Sequence, residues 1–164
     1  MRHLTWLSDV TAAIELISRR VTADGPMDFA AYLDDVAAFW SRACEGRPVK
    51  LEFRGQAAMV PDSHVLPLAI ITHELISNAV RHAFPDGRRG TIAVAFSRAV
   101  GGVSLVVRDS GVGAEQPEPG EGLSLVQGLV EHLGGSMSIE AAPGQGVGVR
   151  VRLPIEASGQ QSAH

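Results

Sequence analysis

The sequence predicts an α/β two-layer sandwich, with helices on one face of a mixed, largely antiparallel sheet and a further helix at the N-terminus. Two observations carry this. Four stretches place apolar residues at helical spacing. In the second half, two pairs of short runs, TIAVAF with VSLVVR and SMSIEA with VGVRVRLP, are joined by the turn-forming segments AVGG and PGQG and read as hairpins.

Taken in order, residues 3 to 21 read as the first helix. Leu7, Val10, Ile14, Ile17 and Val21 step by 3, 4, 3 and 4, a seam that suits either a partner helix or the body of the protein. ADGP at 23–26 breaks it. A second helix spans 28 to 44, with Phe29, Leu33, Val36, Trp40 and Ala43 on one side. Strand VKLEF (49–53) follows, then a loop containing Gly55 and Pro61. A long helix is expected from Pro67, as its first residue, to just before Pro85. PDGRRG is a loop before the first hairpin. A helix over 122 to 133 stops at Gly134–Gly135, and the second hairpin closes the fold. In its last strand Val147, Val149, Val151 and Leu153 alternate with Gly148, Arg150 and Arg152. The expected division is an N-terminal helix over 1–24, one domain over 27–154 and a polar tail over 155–164.

Composition narrows the function classes. Charged residues are 20% and hydrophobic residues 45%, which fits a chain with a core rather than a disordered one. A net charge of -4 lacks the basic footprint of a nucleic-acid binder. Cys44 is the single cysteine, so no intrachain disulfide or cysteine zinc cluster can form. The longest apolar runs, such as VLPLAII, fall far short of the roughly 18 residues that span a bilayer. With no signal-peptide pattern in MRHLTWLSDV, a cytoplasmic location is the expectation.

The chemistry concentrates in three places. HELISNAVRHAF (73–84) sets Glu74, Asn78 and Arg81 on one helix face, with His82 at its edge. Such a stripe is ordinarily solvated. This one mixes a carboxylate, an amide and a cation, a set able to serve a metal and phosphates together. DSGVG (109–113) follows a strand, so Asp109 stands where the chain turns on Gly111 and Gly113. GEGLSLV (120–126) leads glycines into a helix, whose N-terminal N–H groups can hold an anion. Other motifs are excluded. There is no GxxxxGK[ST], no GxSxG, and Ser77 stands where a zincin helix needs its second histidine.

These three motifs, in this order, resemble the N, G1 and G2 boxes of the GHKL superfamily of gyrase, a heat-shock chaperone, histidine kinases and a mismatch-repair protein. The resemblance is greatest to the ATP-binding domain of sensor histidine kinases of the HWE type and its sister family, and covers about residues 27 to 154. It implies a Bergerat-type fold that binds ATP and Mg²⁺. Asn78 would ligate the metal through its amide oxygen. Arg81 and His82 would lie near the phosphates. Glu74 would orient or deprotonate the attacking group. Asp109 would accept a hydrogen bond from the adenine amino group. Gly111 and Gly113 would let the lid begin close to the nucleotide. Gly120, Gly122 and Leu123 would bring backbone N–H groups to the phosphates.

The chain also departs from the family. Val147 stands where a threonine often follows the last glycine, and the short lid carries Glu115 and Glu118 but no Lys or Arg. No phosphoacceptor pattern precedes the ATP domain, and RHLTWLSD offers only His3. The expectation is therefore a histidine-kinase catalytic domain that binds ATP, phosphorylates itself poorly, and acts on a histidine of a partner or another segment. A response regulator or other signalling protein is the expected partner, with a possible homodimer through the first helix. The alternatives are an anti-sigma-factor-like serine kinase and a degenerate phosphotransfer hub.

Overall fold

A computed structural model describes residues 3–20, 26–113 and 121–156. Four helices, α1 (His3–Ser18), α2 (Phe29–Ala43), α3 (Asp62–His82) and α4 (Glu121–His132), accompany seven strands. The strands are β1 (Met27–Asp28), β2 (Val49–Gly55), β3 (Met59–Val60), β4 (Gly90–Ala99), β5 (Gly102–Asp109), β6 (Ser136–Ala141) and β7 (Val147–Pro154). Five of them form one sheet in the order β2-β4-β5-β7-β6. Only β2 and β4 run parallel, so the sheet is mixed and largely antiparallel, as the sequence predicts.

Both expected hairpins are present. Phe96 faces Leu105 across β4 and β5, and Ile139 faces Val149 across β6 and β7. Period-2 alternation sends Ile92, Val94 and Phe96 of β4, Val103, Leu105 and Val107 of β5, and Val149, Val151 and Leu153 of β7 into the core. Phe96 meets Phe29 of α2 at 4.9 Å between ring centroids, and Phe29 meets Tyr32 at 5.2 Å.

Two details differ from the sequence expectation. α3 begins at Asp62, so Pro67 lies within the helix instead of starting it. Pro67 forfeits one N–H in the second turn, while Val65, Leu68 and Ala69 around it are buried and hold that turn against the core. The additional pair β1–β3 joins Met27 to Val60 and Asp28 to Met59. Two-residue strands carry no readable periodicity. Asp28 also caps α2, its Oδ1 accepting from Ala30 N at 3.1 Å and from Ala58 N at 3.2 Å.

α1 lies against α3 and touches α2. Ala13, Leu16 and Ile17 are buried among its described residues, whereas Leu7 and Ile14 of the expected seam are 47% and 46% exposed. Val21 falls outside the described residues. Just beyond α1, the Arg20 guanidinium forks onto Asp35 of α2 at 2.6 and 3.0 Å. That hydrogen bond holds the Asp35 carboxyl below its ordinary value. Among the described residues, no helix is long and apolar enough to cross a membrane.

Candidate functional site

α3 is covered on two sides, by the sheet and by α1. Its residues 71–77 are therefore buried without a break, polar ones included. Glu74 is 1% exposed, Asn78 half-buried, and Arg81 and His82 exposed. The predicted stripe thus runs from the interior to the surface along the helix. Glu74 reaches the first turn of α4: a Cβ added at Gly122 would lie 2.6 Å from Glu74 Oε2. Absence of a side chain at 122 is what admits the carboxylate. Leu123 is buried in the core, which leaves its backbone N–H as the part that can face a ligand.

Asp109 ends β5 and is 6% exposed. Its Oδ1 accepts from Gly111 N at 2.9 Å and from Val147 N at 3.2 Å. Burial raises its carboxyl above the ordinary value, and those two N–H groups oppose the rise. The loop after Asp109 is fastened to the end of α3 by Val112 N donating to Ala83 O at 3.0 Å. A Cβ at Gly111 would lie 2.2 Å from that same Ala83 oxygen. Gly111 is therefore required by the approach of α3 itself. Gly113 sits at φ +65° against the Ala142 carbonyl, a conformation that favours glycine.

Next to Glu74, His73 is wholly buried between α2 and α3. Its Nδ1 accepts from Trp40 Nε1 at 3.2 Å, so the ring proton resides on Nε2, which donates to Tyr32 OH at 3.2 Å. Burial depresses the imidazole pKa to about 4 and raises the Tyr32 phenol. The sequence assigns His73 no role and no partner. Tyr32 and Trp40 were the available signal, two aromatic residues with polar handles one above the other on α2.

The structure brings Glu74 together with Gly122, and Asp109 with Gly111 and the end of α3. Gly120, Glu115 and Glu118 lie outside the described residues, as do residues 1–2, 21–25 and 157–164. The support given to Asp109 by Val147 comes from backbone N–H, so no side-chain motif announces it.

Residues 64–157, more than half of the chain, match the family of histidine kinase-, DNA gyrase B-, and HSP90-like ATPases. The chain belongs to this ATPase family. It is similar to the sensor histidine kinase PdtaS of Mycobacterium tuberculosis, 29% identical over 98% of this chain and 32% of that protein. It also resembles blue-light-activated histidine kinase 1 of Erythrobacter litoralis, 28% identical over 91% of this chain and 43% of that one. The chain therefore spans about a third of PdtaS and less than half of the blue-light kinase. In fold it matches the histidine kinase domain of the Erythrobacter litoralis EL346 kinase with a TM-score of 0.80, at 23% identity over 91% of this chain and 74% of that one. Along most of its length this ATPase-family chain is similar to the ATP-binding part of sensor histidine kinases.

Proposed function

We propose that the domain transfers the γ-phosphoryl group of ATP to a histidine on a partner or on a further segment, for relay to a response regulator. The observation that carries this reading is the seating of buried Glu74 against the glycine turn of α4, with Asn78 one helical turn further along α3. That arrangement sets a candidate base beside backbone N–H groups suited to phosphates. Phosphoryl transfer has a loose, charge-spread transition state, so positioning and charge stabilisation are what such a site contributes.

Asn78 offers one amide oxygen, and Glu74 lies four residues before it. Among the described residues there is no group of three His, Cys, Asp or Glu able to cage a metal. This donor set fits Mg²⁺, which prefers oxygen and keeps waters and phosphate oxygens in its shell. When bound, Mg²⁺ neutralises charge on the phosphates. Arg81 and His82 lie one turn beyond Asn78, toward the exposed end of the helix, where they complement phosphate charge. Gly122 and Leu123 supply N–H groups at the start of α4.

Asp109 recognises the base. Its Oδ1 is engaged by Gly111 and Val147, and Oδ2 is the oxygen left to accept from the adenine amino group. Asp109→Asn keeps an acceptor for the two backbone donors but presents an N–H₂ toward another donor. Hydrogen bonds to charged groups contribute about 1.5–3 kcal/mol, so ATP affinity is expected to fall roughly tenfold or more. The preference over GTP should narrow in parallel. Calorimetric titration with ATP and GTP tests this, and equal ATP affinity in both proteins would refute the assignment. Labelled ATP with a histidine-bearing acceptor protein tests the transfer. Acid-labile, base-stable label on the acceptor is expected, and acid-stable label would point instead to a serine kinase.

A further inference from the structure

The helices cover one face of the five-stranded sheet and leave the other open. Because side chains alternate, the burial of Val103, Leu105 and Val107 sends Ser104 to the open face. The register then builds one row across four strands. Ser97 stands opposite Ser104, Ser104 opposite Arg152, and Arg152 opposite Ser136. With strands about 4.8 Å apart, three hydroxyls and a guanidinium fall within one short row. In the adjacent row on this face, Arg150 stands opposite Ser138.

A hollow of about 630 Å³ lies over this end of the sheet, lined by Ser97, Arg98, Ser104, Ser136, Arg150 and Arg152 together with the Gly101 and Gly134–Gly135 turns. Its lining holds no carboxylate, in a chain of net charge -4; Arg150 and Arg152 are its cations on this face, while the Arg98 guanidinium donates to Ala57 O at 2.9 Å. The acid on the neighbouring edge strand, Glu140, is paired with Arg108 at 3.1 Å. Arg150 and Arg152 have no carboxylate partner among the described residues. Ser104 Oγ is buried in the floor, the residue 5% exposed, and has no hydrogen-bond partner among the described residues. A buried hydroxyl in that state is destabilising unless a ligand completes it.

We propose that this hollow is a second anion site, binding a small phosphate-bearing ligand with at least two negative charges. Guanidinium groups match phosphate oxygens with paired N–H bonds, and the hydroxyl of Ser104 beside Arg152 can donate a further bond. Two guanidinium groups suit a ligand with two negative charges better than a single carboxylate. The site is on the sheet face opposite α3 and α4, so it is separate from the proposed nucleotide site and does not rest on that reading.

The test is a residue-resolved NMR titration of the chain with inorganic pyrophosphate, which distinguishes the two sites by the signals that move. Saturable shifts are expected at Ser104, Ser136, Arg150 and Arg152. Arg150→Ala and Arg152→Ala should each weaken that binding about tenfold. Ser104→Ala should weaken it severalfold while raising thermal stability, since it removes the unsatisfied hydroxyl. Arg54→Ala, on the same face at the far edge strand, should leave it unchanged. Shifts confined to α3 and the start of α4 would overturn the proposal. So would equal losses from Arg54→Ala and Arg152→Ala, which would mean diffuse attraction without a site.

Discussion

Replacing His73 with Phe should remove one contribution to the acid sensitivity of the fold, the one that falls between pH 7 and pH 5. In the folded protein the imidazole must stay neutral, because its Nδ1 accepts from Trp40 and protonation would set two donors against each other. Its folded pKa is about 4, against roughly 6.5 in the unfolded chain. Between those values the unfolded state binds a proton that the folded state excludes, so stability rises with pH across this window. The stability is fully present above about pH 6.5 and is lost as pH falls through 4. A difference of this size is worth about 3 kcal/mol when complete, of which about 2 kcal/mol disappears between pH 7 and pH 5. His73→Phe leaves the Trp40 N–H and Tyr32 OH without their partner, costing about 1–3 kcal/mol for each at pH 7. Urea unfolding of both proteins at pH 7 and pH 5 measures this. The gap between them should shrink by about 2 kcal/mol at pH 5. An equal pH dependence in parent and variant would show that His73 is not the titrating group.

Further outcomes follow from the same geometry. Gly122→Ala brings a methyl to within 2.6 Å of Glu74 Oε2, so the carboxylate must move. Phosphoryl transfer to an added acceptor should fall tenfold or more, while thermal stability changes little because Ala favours the helix. An unchanged transfer rate would detach Glu74 from the reaction. Asn78→Ala should reduce ATP affinity in Mg²⁺ far more than in EDTA, and equal losses in the two buffers would remove its metal role. Lowering the pH should weaken ATP binding through protonation of Asp109, whose carboxyl titrates above its ordinary value. Asp109→Asn should lack that dependence in calorimetry. Arg20→Ala should cost no more than about 1 kcal/mol in urea unfolding, because the pair with Asp35 is partly solvated.

The sheet was legible because it buries one face only. Residues 149–154 alternate in sequence and in burial alike. Asp109 was legible as a carboxylate at a strand end before glycines. The burial of the polar stripe was not. A helical period shows which residues share a face, yet it cannot show that both α1 and the sheet pack against α3. Glu74 therefore reads as a surface residue until the neighbouring elements are in place. The start of α3 was misplaced because Pro67 resembles a first-turn proline, while Val65 already belongs to the buried face. The Glu74–Gly122 contact joins residues far apart in the chain, and no local pattern encodes it. Of the N-terminal seam, only part became an interface, since Ile17 is buried and Leu7 and Ile14 are not.

Asp109 is held by Gly111 and Val147 before any ligand arrives. Freezing a side chain on binding costs about 0.5–1.5 kcal/mol, and here folding has already met that cost. Whatever docks against this carboxylate finds one orientation waiting. Because Val147 begins β7 and Asp109 ends β5, that orientation is as rigid as the central strands themselves. Selectivity at this corner therefore behaves as a property of the sheet: it should persist to the temperature at which the sheet melts and then vanish with it.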